Sequence, residues 1–238
     1  MSIENFITAE RFFHFFQPIY HLNGREKIGY EALLRSDSYP NPEYVFEAAK
    51  QANLLYALDS ASIQKAVSSY QEDGFSKKDG KVFVNILPST ILHQDFPTFI
   101  SHTKMESHLK TQQIVLEISE TENITNYDAL KKRILELKAL GFQIAIDDFG
   151  KGFANIQNLI ELEADYLKLD RYLAQDLHQS KQKQSFISFF VNYCEQNESQ
   201  LILEGLETEA EMEAAQSLGI SLGQGYFLCR PSRLKDIV

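Results

Sequence analysis

Cysteine is scarce in this sequence: only Cys194 and Cys229 occur among 238 residues. Two cysteines exclude a disulfide framework or a cysteine zinc site read from spacing, and reduced thiols in a cytoplasmic protein are expected instead. Positive charge is also short, with 23 Lys and Arg against 33 Asp and Glu, a net charge of −10. That balance argues against wholesale binding of DNA or RNA, which needs a basic face. A phosphate-ester ligand would need positive charge supplied locally, by a few Lys or Arg and by metal ions. Long apolar runs are missing: Phe12 to Phe16 falls far short of the ~20 residues of a membrane-spanning helix. The opening Met1-Ser2-Ile3-Glu4-Asn5 lacks the basic start of a signal peptide. No membrane association is expected. The histidines at 14, 21, 93, 102, 108 and 178 show no metal-ligand spacing and read as surface or packing residues. There is no internal repeat and no low-complexity segment.

What the chain does have is a set of short apolar runs ending in, or interrupted by, polar residues. Val82-Phe83-Val84 ends in Asn85, Ile114-Val115-Leu116 in Glu117, Ile144-Ala145-Ile146 in Asp147-Asp148, and Leu201-Ile202-Leu203 in Glu204. Tyr30 to Leu34 carries Glu31 and Arg35, and Tyr166 to Leu169 carries Lys168 and Asp170. Runs this short and rich in Val, Ile and Leu suit doubly buried parallel strands. A carboxylate buried mid-strand costs several kcal/mol unless compensated, whereas one at a strand end can face a shared pocket. Between the runs lie helical patterns at Leu54 to Tyr70, Tyr127 to Leu140, Phe186 to Glu195 and Glu209 to Leu218, with Gly141 and Gly219 as stops. Asp37 to Pro42, Gln71 to Gly80 and Gln179 to Gln184 read as loops.

Alternation of strand and helix predicts an α/β fold with a parallel sheet. The link His21-Leu22-Asn23-Gly24 is too short for a crossover helix, so the first strand, Phe12 to Tyr20, is expected to run antiparallel to the second. A length of 238 residues suits one (β/α)8 TIM-like barrel with that antiparallel first strand, a single domain over residues 1–238. Such barrels keep their chemistry at the C-terminal mouth, so the chain reads as an enzyme.

Several side-chain groupings admit two readings. Glu31, Leu33 and Arg35 share one strand face, where the charges could form a salt bridge, or could hold a metal and fork a phosphate. Asp147-Asp148-Phe149-Gly150-Lys151-Gly152 could be an Asx-turn or a helix cap. Alternatively, the glycines turn the chain so that both carboxylates reach one site. With Glu31, Asn85 and Glu117, the all-oxygen donor set suits Mg²⁺ or Mn²⁺. Two such ions could serve in-line displacement at a phosphodiester. Lys168 and Asp170 could be a salt bridge, or a lysine held by its neighbour to orient or deprotonate a water. Glu204-Gly205-Leu206-Glu207 adds two carboxylates past a strand, and Gln224 between Gly223 and Gly225 permits a close backbone approach to ligand.

These residues resemble the EAL-domain cyclic di-GMP phosphodiesterases of bacteria, named for the tripeptide that stands here as Glu31-Ala32-Leu33. The resemblance runs from Phe16-Gln17-Pro18-Ile19 to Gly225-Tyr226-Phe227-Leu228-Cys229-Arg230-Pro231 and includes, in order, Val84-Asn85, Glu117-Ile118-Ser119-Glu120, Asp147-Asp148-Phe149-Gly150, Lys168-Leu169-Asp170-Arg171 and Glu204-Gly205-Leu206-Glu207-Thr208. It implies hydrolysis of cyclic di-GMP to linear 5′-pGpG with two Mg²⁺ or Mn²⁺ ions, Ca²⁺ being inhibitory. It implies Glu31, Asn85, Glu117, Asp147 and Asp148 as metal ligands and Lys168 as the water-orienting base. Glu204 completes the catalytic group, with Glu120 bracing the loop from Asp147 to Gly152. Gln17, Leu33, Arg35, Asp170, Glu207 and Gln224 are implied as substrate contacts. A homodimer through loop 149–155 is also implied, although Lys151, Phe153, Ala154 and Asn155 depart from the family pattern there; we expect Lys151 to pair with a carboxylate of the other subunit. Some EAL-like proteins act instead as cyclic di-GMP receptors or protein-interaction modules. A barrel hydrolase for another phosphodiester is a third reading.

Overall fold

Eight strands close into a barrel in chain order: β1 (Phe13–His21), β2 (Lys27–Arg35), β3 (Lys81–Ile86), β4 (Ile114–Ile118), β5 (Gln143–Phe149), β6 (Tyr166–Leu169), β7 (Gln200–Leu203) and β8 (Leu222–Gly223). The computed structural model describes residues 2–72, 80–119, 122, 124, 126–150 and 156–237. Strands β2 to β8 run parallel, and β1 pairs antiparallel with both β2 and β8. The expected reversal of the first strand is therefore present. The two-residue β8 has no apolar run of its own, and the barrel context alone defines it.

Around the strands stand α1 (Ile3–Thr8), α2 (Pro42–Gln51), α3 (Leu55–Glu72), α4 (Pro88–Leu92), α5 (Phe96–Glu106), α6 (Tyr127–Ala139), α7 (Ile156–Glu161), α8 (Arg171–Ala174), α9 (Lys181–Gln196) and α10 (Glu209–Ser217). Local chemistry sets their ends. Asn126 caps α6 by accepting the Ala129 N–H, its buried stripe is Leu130, Ile134 and Leu137, and Gly141 takes φ +95° to leave it. Gln179 to Gln184, expected as a loop, is mostly helical: Ser180 accepts the Lys183 N–H and starts α9 at Lys181. The polar composition there belongs to a cap and an exposed first turn. Asp37 to Pro42 does end in a helix start, Asn41 capping α2 ahead of Pro42. Of Gln71 to Gly80, α3 takes the first two residues and 73–79 lie outside the described residues. No helix among the described residues is long and apolar enough to cross a membrane.

The apolar runs are buried on both faces. Outward residues such as Val82, Val84, Leu116 and Ile144 pack against α3 and α6 side chains, including Ile63, Val67, Leu130 and Ile134. Inward, Ile19, Phe83, Val115, Ala145, Tyr166, Ile202 and Leu222 fill the barrel as a separate buried cluster. Each buried Val, Ile, Leu or Phe among them contributes about 1.5–3 kcal/mol. Below this floor Lys81 Nζ donates to Gln143 Oε1 and to Tyr166 Oη, both at 2.7 Å.

One buried histidine makes the fold pH-sensitive. His14 in β1 has its Nε2 3.0 Å from Ser62 Oγ, and burial, with Lys65 and Arg35 adding, pushes its pKa down to about 3 from 6.5. The unfolded chain binds the proton first, so His14 should weaken the fold progressively as pH falls from about 6.5 toward 3. The cost is up to about 1.4 kcal/mol per pH unit. His14→Gln, which cannot titrate, should flatten that slope. Urea midpoints at pH 7 and pH 4.5 check it: an equal drop in both proteins contradicts the assignment.

Candidate active site

The polar strand ends converge because interior positions alternate along each strand. Glu31 lies opposite interior Phe83, Asn85 opposite Glu117, Glu117 opposite Ala145, and Lys168 opposite Ile202. Strands of a closed barrel tilt, so the register climbs from one to the next. Above the apolar floor, β1 to β6 contribute Gln17, Glu31, Asn85, Glu117, Asp147 and Lys168. Glu204 and Gln224 follow one residue beyond the ends of β7 and β8. Every strand, or the residue just after it, thus supplies at least one polar side chain to the C-terminal mouth.

Lys168, fully buried, stands at the centre. Its Nζ lies 2.7 Å from Glu117 Oε1, 2.7 Å from Glu204 Oε1, 2.9 Å from Asp147 Oδ1 and 3.5 Å from Glu31 Oε2. Burial pulls the lysine pKa down, but Asp147, Glu117, Glu204 and Glu31 together outweigh it and hold the group well above its usual range. Lys168 is therefore an ammonium in this arrangement. It is held by these four carboxylates and not by Asp170, which accepts the Tyr172 N–H at 2.9 Å and caps α8. One cation is too little for four carboxylates. Burial, with Glu31 and Asp147 adding against Lys168, lifts Glu117 well above the usual carboxylate range. Burial, with Asp147 and Glu31 adding against Lys168, lifts Glu204 to about 8.

The donor set fits a hard divalent cation. One carboxylate oxygen from each of Glu31, Glu117 and Asp147 lies within 4.8 Å of the others. Glu117 Oε2 is buried with no hydrogen-bond partner among the described residues, a costly state for a carboxylate oxygen unless a cation takes it. The chain also turns at the paired aspartates. Asp148 adopts φ +53°, and the β5–β6 register slips between Ile146 and Phe149. Both aspartates line one 590 Å³ cavity with Glu31, Asn85, Arg35 and Glu204.

A second cavity of 210 Å³ shares Glu31, Leu33, Asp148 and Glu204 with the first and adds Gln17, Asp170, Glu207 and Gln224. Gln224 Nε2 donates to Glu31 Oε2 at 2.6 Å and to Gln17 Oε1 at 3.0 Å, and Gln17 Nε2 donates to the Cys229 carbonyl at 3.0 Å. Arg35 does not take up Glu31; it donates to the Leu34 carbonyl at 2.8 Å and lies over the Phe15 ring. The close approach expected around Gln224 is made by protein: a Cβ on Gly225 would collide with the Leu206 backbone. Glu120 and Lys151, Phe153, Ala154 and Asn155 lie outside the described residues.

Two supporting groups were not singled out from the sequence. The Cys229 carbonyl, which receives Gln17, has no side-chain signal. Glu211 accepts the backbone N–H groups of Glu207, Thr208 and Asp176, at 2.9, 3.0 and 3.0 Å, and so fixes the loop carrying Glu204 and Glu207. The Thr208-to-Glu211 capping-box spacing is the signal that marks it.

Comparison with known proteins agrees with this architecture. The family model described as "EAL domain" matches residues 2–231. Among curated proteins, the chain is 27% identical over 224 residues to the probable cyclic di-GMP phosphodiesterase PdeA of Escherichia coli K12, covering 92% of this chain and 30% of that one. It is 29% identical over 214 residues to the blue light- and temperature-regulated antirepressor BluF of the same organism, covering 89% of this chain and 52% of that one. It spans about a third to a half of the length of the curated relatives first matched. Among solved structures, the manganese and cyclic di-GMP complex of Klebsiella pneumoniae BlrP1 at pH 9.0 superposes with a TM-score of 0.84 at 31% identity, covering 93% of this chain and 56% of that one.

Proposed function

The chain belongs to the EAL domain family, and from that premise we propose that residues 1–238 form one phosphodiesterase domain that hydrolyses cyclic di-GMP to linear 5′-pGpG. The observation that carries this reading is the buried set of four carboxylates facing a single lysine at the mouth of the barrel. Such a set is short of positive charge, and two divalent ions together with a dianionic ligand would bring it close to balance. Glu31, Asn85, Glu117, Asp147 and Asp148 would hold Mg²⁺ or Mn²⁺. The chemistry such ions supply is activation of water and neutralisation of phosphate charge.

The chain's own groups do the rest. The Lys168 ammonium, fixed by Glu117 and Glu204 at 2.7 Å each, donates a hydrogen bond that orients the attacking water. Glu204 holds that ammonium in place from the end of β7. Water oxygen adds to one phosphorus as the P–O3′ bond breaks, and the water's second proton ends on the leaving 3′ oxygen. Arg35 forks a phosphate, while Gln17, the Leu33 backbone, Asp170, Glu207 and Gln224 contact the remainder of the ligand. The name of relatives such as PdeA supports the substrate assignment.

A second reading, a cyclic di-GMP receptor or protein-interaction module, is favoured by one observation, the match of similar identity to an antirepressor. Against it stands the cluster of Glu31, Glu117 and Asp147, a donor group a hydrolase would need. Nucleotide chromatography separates the two readings: purified protein with cyclic di-GMP and Mg²⁺ or Mn²⁺ should yield pGpG. Retention of intact nucleotide without product would favour the receptor, and a different product would reject the reaction.

A further inference from the structure

Asn85 reaches the cavity from the end of β3, and the turn that follows it has little to hold it locally. Leu87, the residue ahead of α4, offers no capping side chain, and Pro88 has no N–H. Two carboxylates from other elements grip this turn. Asp59 of α3, 1% exposed, accepts the Leu87 N–H through Oδ2 at 2.9 Å. Glu122, beyond β4, accepts the Ser89 N–H and the Ser89 hydroxyl, each at 2.8 Å. Asp59, Asn85, Leu87 and Glu122 all line the 590 Å³ cavity.

A buried carboxylate inside a helical apolar face is costly. Leu58 and Ile63 beside it in α3 are fully apolar core residues, so packing alone gives no reason for an acid at 59. Its carboxylate accepts the backbone N–H two residues beyond Asn85 and also meets the Thr90 hydroxyl in α4, so both contacts fall on the turn that follows Asn85. Since Asn85 also sits directly opposite Glu117 in the β3–β4 ladder, a shift of this turn moves one oxygen donor relative to another.

We propose that Asp59 is a positioning residue for the candidate metal site, acting through the Leu87 backbone to fix Asn85. This rests on the reading of Asn85 as a ligand. Supporting partners outside the ligand set typically govern metal affinity by 10–100-fold.

The test is titration of Mn²⁺ into apoprotein, followed by electron paramagnetic resonance of the free ion, which needs no substrate. Asp59→Ala should weaken Mn²⁺ binding about tenfold or more, while Asp59→Asn, which keeps an acceptor oxygen, should stay within a few-fold of wild type. Leu87→Pro removes the same hydrogen bond from the donor side, at a φ of −82° that proline tolerates, and should reproduce the loss. Should the alanine variant not fold, the proline variant decides. Wild-type affinity in a folded Asp59→Ala or Leu87→Pro protein overturns the proposal, even if melting temperature in EDTA has fallen, since that is what a purely structural role would do. Absence of Mn²⁺ binding by wild type overturns this inference and the metal reading together. Tight Mn²⁺ binding without hydrolysis of cyclic di-GMP counts against the reaction alone and leaves the role of Asp59 standing.

Discussion

Lys168→Ala is expected to lower turnover of cyclic di-GMP by about 10²–10⁴-fold while leaving substrate affinity within a few-fold, the pattern of a group acting mainly in the transition state. The geometry adds a second expected result. Lys168 is the cation shared by Glu31, Glu117, Asp147 and Glu204. Its removal leaves Glu117 buried without compensation, and losing one partner of a buried pair costs about 3–5 kcal/mol. In EDTA the variant should therefore melt well below wild type, and Mn²⁺ should restore more stability to it than to wild type, because the ion replaces a missing charge. Calorimetry with and without Mn²⁺, alongside single-turnover kinetics, reads both effects. Near-normal turnover in the variant would remove Lys168 from the reaction.

Stripping divalent ions should abolish activity altogether. The candidate ligands are all oxygen donors, with a buried Glu117 Oε2 lacking a partner among the described residues. Mg²⁺ or Mn²⁺ returned after EDTA should recover turnover, whereas Ca²⁺ should bind and inhibit, its larger and looser coordination placing the water poorly. Glu31→Ala should mimic the stripped protein even with Mn²⁺ in excess. Turnover by a sample shown by elemental analysis to be metal-free is the result that would end the two-metal mechanism.

Much of this site was legible in the sequence because a physical boundary marks it. Where the barrel interior changes from packed floor to open mouth, apolar runs must stop, and they stop at Asn85, Glu117, Asp147 and Glu204. The turn at Asp147-Asp148 was legible from Gly150 and Gly152 behind it. Partnerships were not. Glu31 with Arg35 and Lys168 with Asp170 share strand faces and invite pairing, yet barrel closure offers Glu31 to Gln224 and Lys168 to carboxylates on or just after four other strands. Those contacts join residues far apart in the chain, which spacing cannot reveal. Asp59 and His14 were hidden for a related reason. Each sits in a local pattern that reads as ordinary helix or strand, and only the packing of α3 on the barrel shows both to be buried. The two-residue β8 carries no periodicity to detect.

The packed floor beneath the site, closed below by Lys81, Gln143 and Tyr166, has a consequence for traffic. With Phe83, Tyr166 and their neighbours filling the barrel's width, no route among the described residues leads through the barrel to the mouth from below. A ligand held among Glu31, Asp147 and Glu204 would therefore enter and leave on the mouth side, and the next could not take its place until it had gone. Departure and arrival are thereby mutually exclusive events, and the residence time of the spent ligand sets an upper bound on throughput however fast the chemistry below becomes.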